Sequence, residues 1–182
     1  MYIGLPAEAL DPHFAQQRNG MWCWAACIEM LFEMHGVGVS QEMIVDRHFG
    51  SPPGGLPPNL PGGMDHMHAT LNHFGIDYNG RHYQVISGLH PGAPSPATIV
   101  AELEARRPIL LSYRSRPTMN HAVLLTGAEL VDERRGLRRI RTLIVRDPWP
   151  RKESVRRHGR IEHDARDLVA KTVAHWIVRI VQ

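Results

Sequence analysis

The stretch Gln16-Gln17-Arg18-Asn19-Gly20-Met21-Trp22-Cys23-Trp24-Ala25-Ala26-Cys27 decides how this chain is read. Gly20 interrupts regular structure, and the residues from Trp22 to His35 predict one helix closed by Gly36. Ala25, Ala26 and Leu31 favour that helix, while Trp24, Ile28, Leu31 and Phe32 give it a broad apolar face. Cys23 therefore falls in the first turn, where unpaired backbone N–H groups and the positive end of the helix dipole favour an anion. The thiolate is the nucleophilic form of cysteine. Gln17 lies six residues upstream, in a segment able to fold back so that its amide points at the sulfur. A nucleophile beside hydrogen-bond donors for a developing oxyanion is what acyl transfer needs.

The same logic asks for a base. Histidine titrates in the right range, and the sequence holds 12 of them. His121 stands apart because it opens the apolar run His-Ala-Val-Leu-Leu after the polar loop Arg116-Pro-Thr-Met-Asn, so it sits at a strand mouth on a rigid backbone. The base in turn needs an acceptor that holds its tautomer. Asp147 ends the next long strand, and an antiparallel neighbour brings that end beside the start of the His121 strand. Taken alone, Asp147 before Pro148 also reads as a loop-capping residue.

The rest of the chain frames these residues. With 182 residues and 43% apolar content it has material for one domain with a sizeable core, spanning residues 1–182. Residues 1–20 show no clear periodicity and read as an extended arm. Ser40 caps a second short helix to about His48, with Met43, Ile44 and Val45 on or near its buried side. Residues 51–63 hold five Pro and four Gly, so they form no regular element and are expected as a surface loop near the cleft. Asp65 to Phe74 reads as a third helix with Met64, Met67, Leu71 and Phe74 on one face, and a short strand is expected within Ile76–Ile86. Ser95 and Pro96 open a fourth helix with Ile99 and Leu103 in the core. From Pro108 the period becomes strand-like: Pro108–Tyr113, Asn120–Gly127, Leu137–Asp147 and Thr172–Val181, the middle pair forming a hairpin that turns near Glu133–Gly136. Helices first and sheet afterwards predict an α+β domain, with a helical lobe at about 20–106 and an antiparallel β lobe at about 107–182.

Several observations weigh against other classes. Cys23 and Cys27 are four apart on one helix, a poor geometry for a disulfide. His66, His68 and His73 invite a metal reading, but residues at i and i+2 do not face each other on a helix, so no metal site is expected. Net charge of +3 is not that of a dedicated nucleic-acid binder. Eleven of the 21 Lys and Arg lie between Arg134 and Arg160, against only Asp147 and Glu153. That run reads either as a solvated edge or as a surface for an acidic partner. The N-terminus shows no signal-peptide pattern and no apolar run reaches the ~20 residues that span a bilayer, so a cytoplasmic origin is expected, with signal-independent export left open.

Gln17, the helix-opening Cys23 and the following Trp24 resemble the nucleophile segment of papain-like cysteine peptidases. The wording Trp-Cys-Trp-Ala-Ala-Cys and the later His121 and Asp147-Pro-Trp contexts are closest to the bacterial C39-like and AvrRpt2-like peptidases, although Met21-Trp22 replaces the Gly-Ser of papain itself. The resemblance implies a papain-like fold with the Cys helix in one lobe and His and Asp in the other. It implies a thiol hydrolase acting on a protein or peptide at peptide or isopeptide bonds, through a Cys23–His121–Asp147 triad with Gln17 in the oxyanion hole. No cofactor is expected. The family also allows acyl transfer or deamidation by the same triad, or a catalytically idle peptide-binding domain.

Overall fold

The computed structural model describes residues 1–132, 138–149 and 155–181. Eight strands form one sheet: β1 Tyr2–Gly4, β2 His73–Ile76, β3 His82–Pro91, β4 Ile109–Arg116, β5 Met119–Asp132, β6 Arg138–Arg146, β7 Arg160–Asp164 and β8 Thr172–Val181. Their order is β2-β3-β8-β4-β5-β6-β7, with β1 paired to β5, and every pairing is antiparallel. The helices are α1 Ala7–Leu10, α2 Cys23–Glu33, α3 Gln41–Phe49, α4 Met64–Thr70, α5 Pro96–Glu104 and α6 Ala165–Lys171, with a 3-10 turn at Asp11–His13.

The central strands are apolar without alternation, and the reason is that both of their faces are covered. Leu110 on β4 and Ala122 and Leu124 on β5 join a core with Trp24, Ile28, Leu31 and Phe32 of α2 and Ile44 and Val45 of α3. Ile109, Leu111, Val123 and Leu125 point the other way, into a second core with Ile99 and Leu103 of α5 and Leu168 of α6. Strands with period two thus carry one side-chain set into each core. Trp176 of β8 is completely buried in the first.

Local signals explain the helix limits. Ser40 accepts from the Met43 N–H at 3.3 Å and Ser95 from the Thr98 N–H at 3.0 Å, so both caps act as their sequences require. Gly36 adopts φ +72°, and around it the Val37 N–H reaches the Phe32 carbonyl at 3.0 Å, a turn that ends α2 where the sequence expects.

Elsewhere local pattern gives way to pairing. The third helix stops at Thr70 and does not run to Phe74: His73–Ile76 bonds to β3 in register Phe74↔Gln84, which leaves Phe74 78% exposed on a strand. The strand expected within Ile76–Ile86 is present from His82 and runs on to Pro91, because Asp77 to Arg81 is spent on the β2–β3 turn. Residues 1–20 are not a plain arm; Tyr2–Gly4 pairs with Gly127–Glu129 of β5, and α1 and the 3-10 turn follow. Met43 faces solvent while Ile44 and Val45 are buried. The β5–β6 pairing is present, in register Leu124↔Arg146 to Asp132↔Arg138, and its turn at 133–136 lies outside the described residues.

Candidate active site

Cys23 is the first residue of α2. Trp22 occupies the N-cap without a side-chain hydrogen bond to the helix, so no capping side chain from that position covers the first-turn donors. Three bonds from the 51–63 loop fix the approach: Trp22 Nε1 donates to Pro58 O at 3.0 Å, Met21 N to Asn59 Oδ1 at 2.9 Å and Trp24 Nε1 to Leu60 O at 3.4 Å. Gly62 lies so close to the Trp24 ring that an added Cβ would stand 2.3 Å from it. The irregular loop therefore straps the start of α2.

His121 enters from β5, opposite Tyr113 of β4. Its Nε2 lies 2.7 Å from Asp147 Oδ1, and the two side chains are only 12% and 5% exposed. Cys23 lies close enough to act on the same imidazole, and with Nε2 turned to Asp147 it is Nδ1 that is left to face a further partner. Burial alone would push the imidazole below its usual 6.5; the bonds to Asp147 and Cys23, and their charges, outweigh it and lift His121 to about 9. Aromatic edges enclose the ring, Tyr113 at 5.7 Å and Trp149 at 6.4 Å between centroids, both nearly perpendicular.

Asp147 is held from three sides. Its Oδ1 also accepts from Trp149 N at 2.8 Å, and its own N–H donates to Gly159 O at 2.8 Å. Gly159 has φ +71°, and a Cβ there would meet the Asp147 carbonyl at 2.6 Å and the Phe14 ring at 2.4 Å. Just before it, Arg146 is buried and ion-paired to Asp11 at 2.8 Å, and donates to the carbonyls of Arg157 and His158. Pro148, just after it, accepts from Gln17 N at 2.9 Å.

Gln17 is buried beside the turn that leads into Cys23. Its Nε2 donates to Asn19 O at 2.9 Å and to Gly20 O at 3.0 Å, which engages both amide protons, while Oε1 is buried without a hydrogen-bond partner. His121 and Asp147 are thus joined as the sequence suggests, whereas the Gln17 amide, expected to point at the sulfur, is turned to the carbonyls of Asn19 and Gly20. Cys27, one helical turn beyond Cys23, is fully buried in the core, and burial pushes its thiol well above the usual 9.0.

Other features fall elsewhere. His66 packs on Phe49 at 4.7 Å between centroids and His73 bonds Tyr83 Oη at 2.9 Å, so both are engaged in packing around α4. Within Arg134–Arg160, several described arginines pair with nearby carboxylates: Arg138 with Asp132, Arg141 with Glu129, Arg157 and Arg160 with Glu162. A recess of about 840 Å³, lined by Ile99, Val100, Leu130, Ile140 and Val169, lies on the second core's side of the sheet, and Cys23, His121 and Asp147 are not among its walls. No helix among the described residues is long and apolar enough to cross a membrane.

What sequence reasoning missed is the support for Gln17. Gln41, Glu29 and Arg18 bond to one another around residues 16–18, and only the Ser40 cap hinted that Gln41 would begin a helix.

The model of the Peptidase_C39 like family matches residues 10–167 of this chain. Among solved structures, the peptidase domain of Streptococcus ComA, a bi-functional ABC transporter involved in a quorum sensing pathway, shares the fold with a TM-score of 0.56 at 10% identity, covering 90% of this chain and 95% of that one. No curated protein matches the chain in sequence.

Proposed function

For a chain that belongs to the Peptidase_C39 like family, and is thus a cysteine peptidase of papain-like fold, we propose that Cys23, His121 and Asp147 are the catalytic triad and that peptide or isopeptide bonds in a protein substrate are cut there. Cys23 Sγ attacks the acyl carbon of the scissile amide. His121 takes the thiol proton as the S–C bond forms and then gives it to the leaving amine as the C–N bond breaks. The resulting thioester is attacked by water, His121 takes the water's proton, and the acid product leaves with Cys23 restored. Asp147 holds Nε2 so that Nδ1 keeps facing the sulfur and offsets the charge of the imidazolium. The Cys23 backbone N–H and Gln17 Nε2 receive the oxyanion. For Gln17 this requires exchanging its bond to Gly20 O for one to the substrate oxygen, a short swing within the same turn.

The observation that carries this reading is the buried His121–Asp147 pair, whose imidazole pKa is raised by Asp147 and by the nearby Cys23, with that sulfur on an uncapped helix start. A peptide-library and proteome cleavage screen comparing wild type with Cys23→Ala tests it. Cleavage products that depend on Cys23 are expected; products that persist in Cys23→Ala would remove the nucleophile.

A further inference from the structure

Gln17 sits in a segment without a helix or a strand ladder of its own, yet its backbone is bound on both sides. Its own N–H goes to Pro148 O. The two flanking groups, the carbonyl of Gln16 and the N–H of Arg18, go to a single side chain, that of Gln41. Gln41 Nε2 donates to Gln16 O at 3.1 Å, and Gln41 Oε1 accepts from Arg18 N at 3.0 Å. One carboxamide thus pairs with the residues either side of Gln17 as the peptide group of a neighbouring strand would. Its second amide proton goes to Glu29 Oε2 at 2.6 Å, which fixes which end of the amide faces which partner. Glu29 is on α2, the same helix that begins with Cys23, and its other oxygen takes Arg18 NH2 at 3.0 Å, while Arg18 NH1 reaches Glu42 at 2.5 Å.

We infer that Gln41 is a positioning residue for the oxyanion donor. It is completely buried, it begins α3 behind the Ser40 cap, and it joins the Gln17 segment to the nucleophile helix through Glu29. Its three hydrogen bonds saturate both donors and use the acceptor, so a chain lacking them leaves the part-buried Gln16 carbonyl and Arg18 N–H without the partner that ties them to α3. The segment would then drift relative to Cys23, and with it the amide of Gln17. This inference rests on the function proposed above and names a residue that touches neither substrate nor thiol.

The test separates oxyanion chemistry from thiol reactivity. Acylation of Cys23 by p-nitrophenyl acetate passes through an oxyanion; alkylation by iodoacetamide does not. The ratio of the two rates reads the oxyanion donors alone. Gln17→Ala is expected to lower that ratio by about ten- to a thousand-fold, the scale of one lost donor. Gln41→Met is expected to lower it at least about ten-fold while iodoacetamide labelling of Cys23 stays within about two-fold, and the double variant should be no worse than Gln17→Ala alone, the non-additivity expected of residues that act as a unit. Gln41→Glu supplies a second arm in case Gln41→Met does not fold. Facing Glu29, Arg18 and Glu42, a carboxylate in place of the Gln41 amide can accept from Arg18 N but cannot donate. The ratio should therefore be low at neutral pH and recover on acidification as the introduced carboxylate gains a proton.

A wild type with no Cys23-dependent burst of p-nitrophenol would overturn the function itself. A reactive wild type whose ratio is unchanged in Gln41→Met overturns the positioning role. So does a double variant whose losses multiply, because Gln41 would then act by a route other than Gln17.

Discussion

Gln17 and Pro148 share a backbone hydrogen bond, N to O at 2.9 Å, so the segment before Cys23 and the residue after Asp147 are joined directly. The two halves of the site are thereby held in register across the cleft by a main-chain contact, which substitution of side chains at those two positions leaves largely in place. Variants of the triad can therefore be read as changes in chemistry more than in architecture.

The two cysteines give the first contrast. Cys23→Ala should abolish turnover and leave thermal unfolding nearly unchanged, since Ala suits a first helical turn. Cys27→Ala should keep most of the activity and cost roughly 1 kcal/mol of stability through lost packing in a closed core. Timed iodoacetamide labelling with peptide mapping checks the pair: Cys23 is expected to label much faster, and a faster Cys27 would mean that the helix presents the wrong face to the cleft.

The pH dependence follows from His121. Its folded value of about 9 lies above the unfolded 6.5, so the proton is bound more tightly in the folded state. The stability this contributes is fully present below about pH 6.5 and is lost as pH rises through about 9. The alkaline limb of kcat/KM should fall in the same place, because the leaving amine needs the proton that His121 then lacks. Asp147→Ala should move that limb down towards 6.5 and lower turnover. Asp147→Asn should be milder, since an amide oxygen still accepts from Nε2, and His121→Ala should be the most damaging of the three. An alkaline limb untouched by Asp147→Ala would reduce the site to a Cys–His pair.

Gly159 gives a test that leaves every reacting group in place. At φ +71° and with the Asp147 carbonyl 2.6 Å from an added Cβ, Gly159→Ala must shift the backbone that receives the Asp147 N–H. Destabilisation of roughly 1–3 kcal/mol is expected from the strained backbone alone. Turnover should fall with it while Cys23 labelling persists, measured on the fraction that remains folded. Unchanged kinetics would show that Asp147 needs no support from the Gly159 carbonyl.

The parts of this fold that were legible in the sequence are those whose causes are local. Ser40 and Ser95 cap helices, Gly36 ends one, and the runs Ile109–Leu111 and Ala122–Leu125 are strands because both faces bury. Cys23, His121 and Asp147 could be proposed because each lies at an element's end, where chain direction alone decides what it meets. What stayed hidden depends on partners far along the chain. Tyr2–Gly4 is a strand only because Gly127–Glu129 offers it an edge, and Phe74 leaves its apparent helix because Gln84 pairs with it. Gln41 looks like any polar residue near a helix start; its importance arises from two backbone groups that are invisible in sequence.

The sheet order carries a consequence for how the molecule comes into being. β8 follows every other strand in the chain, yet it lies between β3 and β4. Until Thr172–Val181 has been synthesised, β3 and β4 have no strand between them, and Trp176 is missing from the core beneath α2. Before that strand is in place α2 still packs on β5, but with a gap where Trp176 belongs, so the core that buries Cys27 and leaves Cys23 at its edge is incomplete. A chain stopped at Lys171 is accordingly expected to alkylate Cys27 faster than the full chain does, narrowing its difference from Cys23.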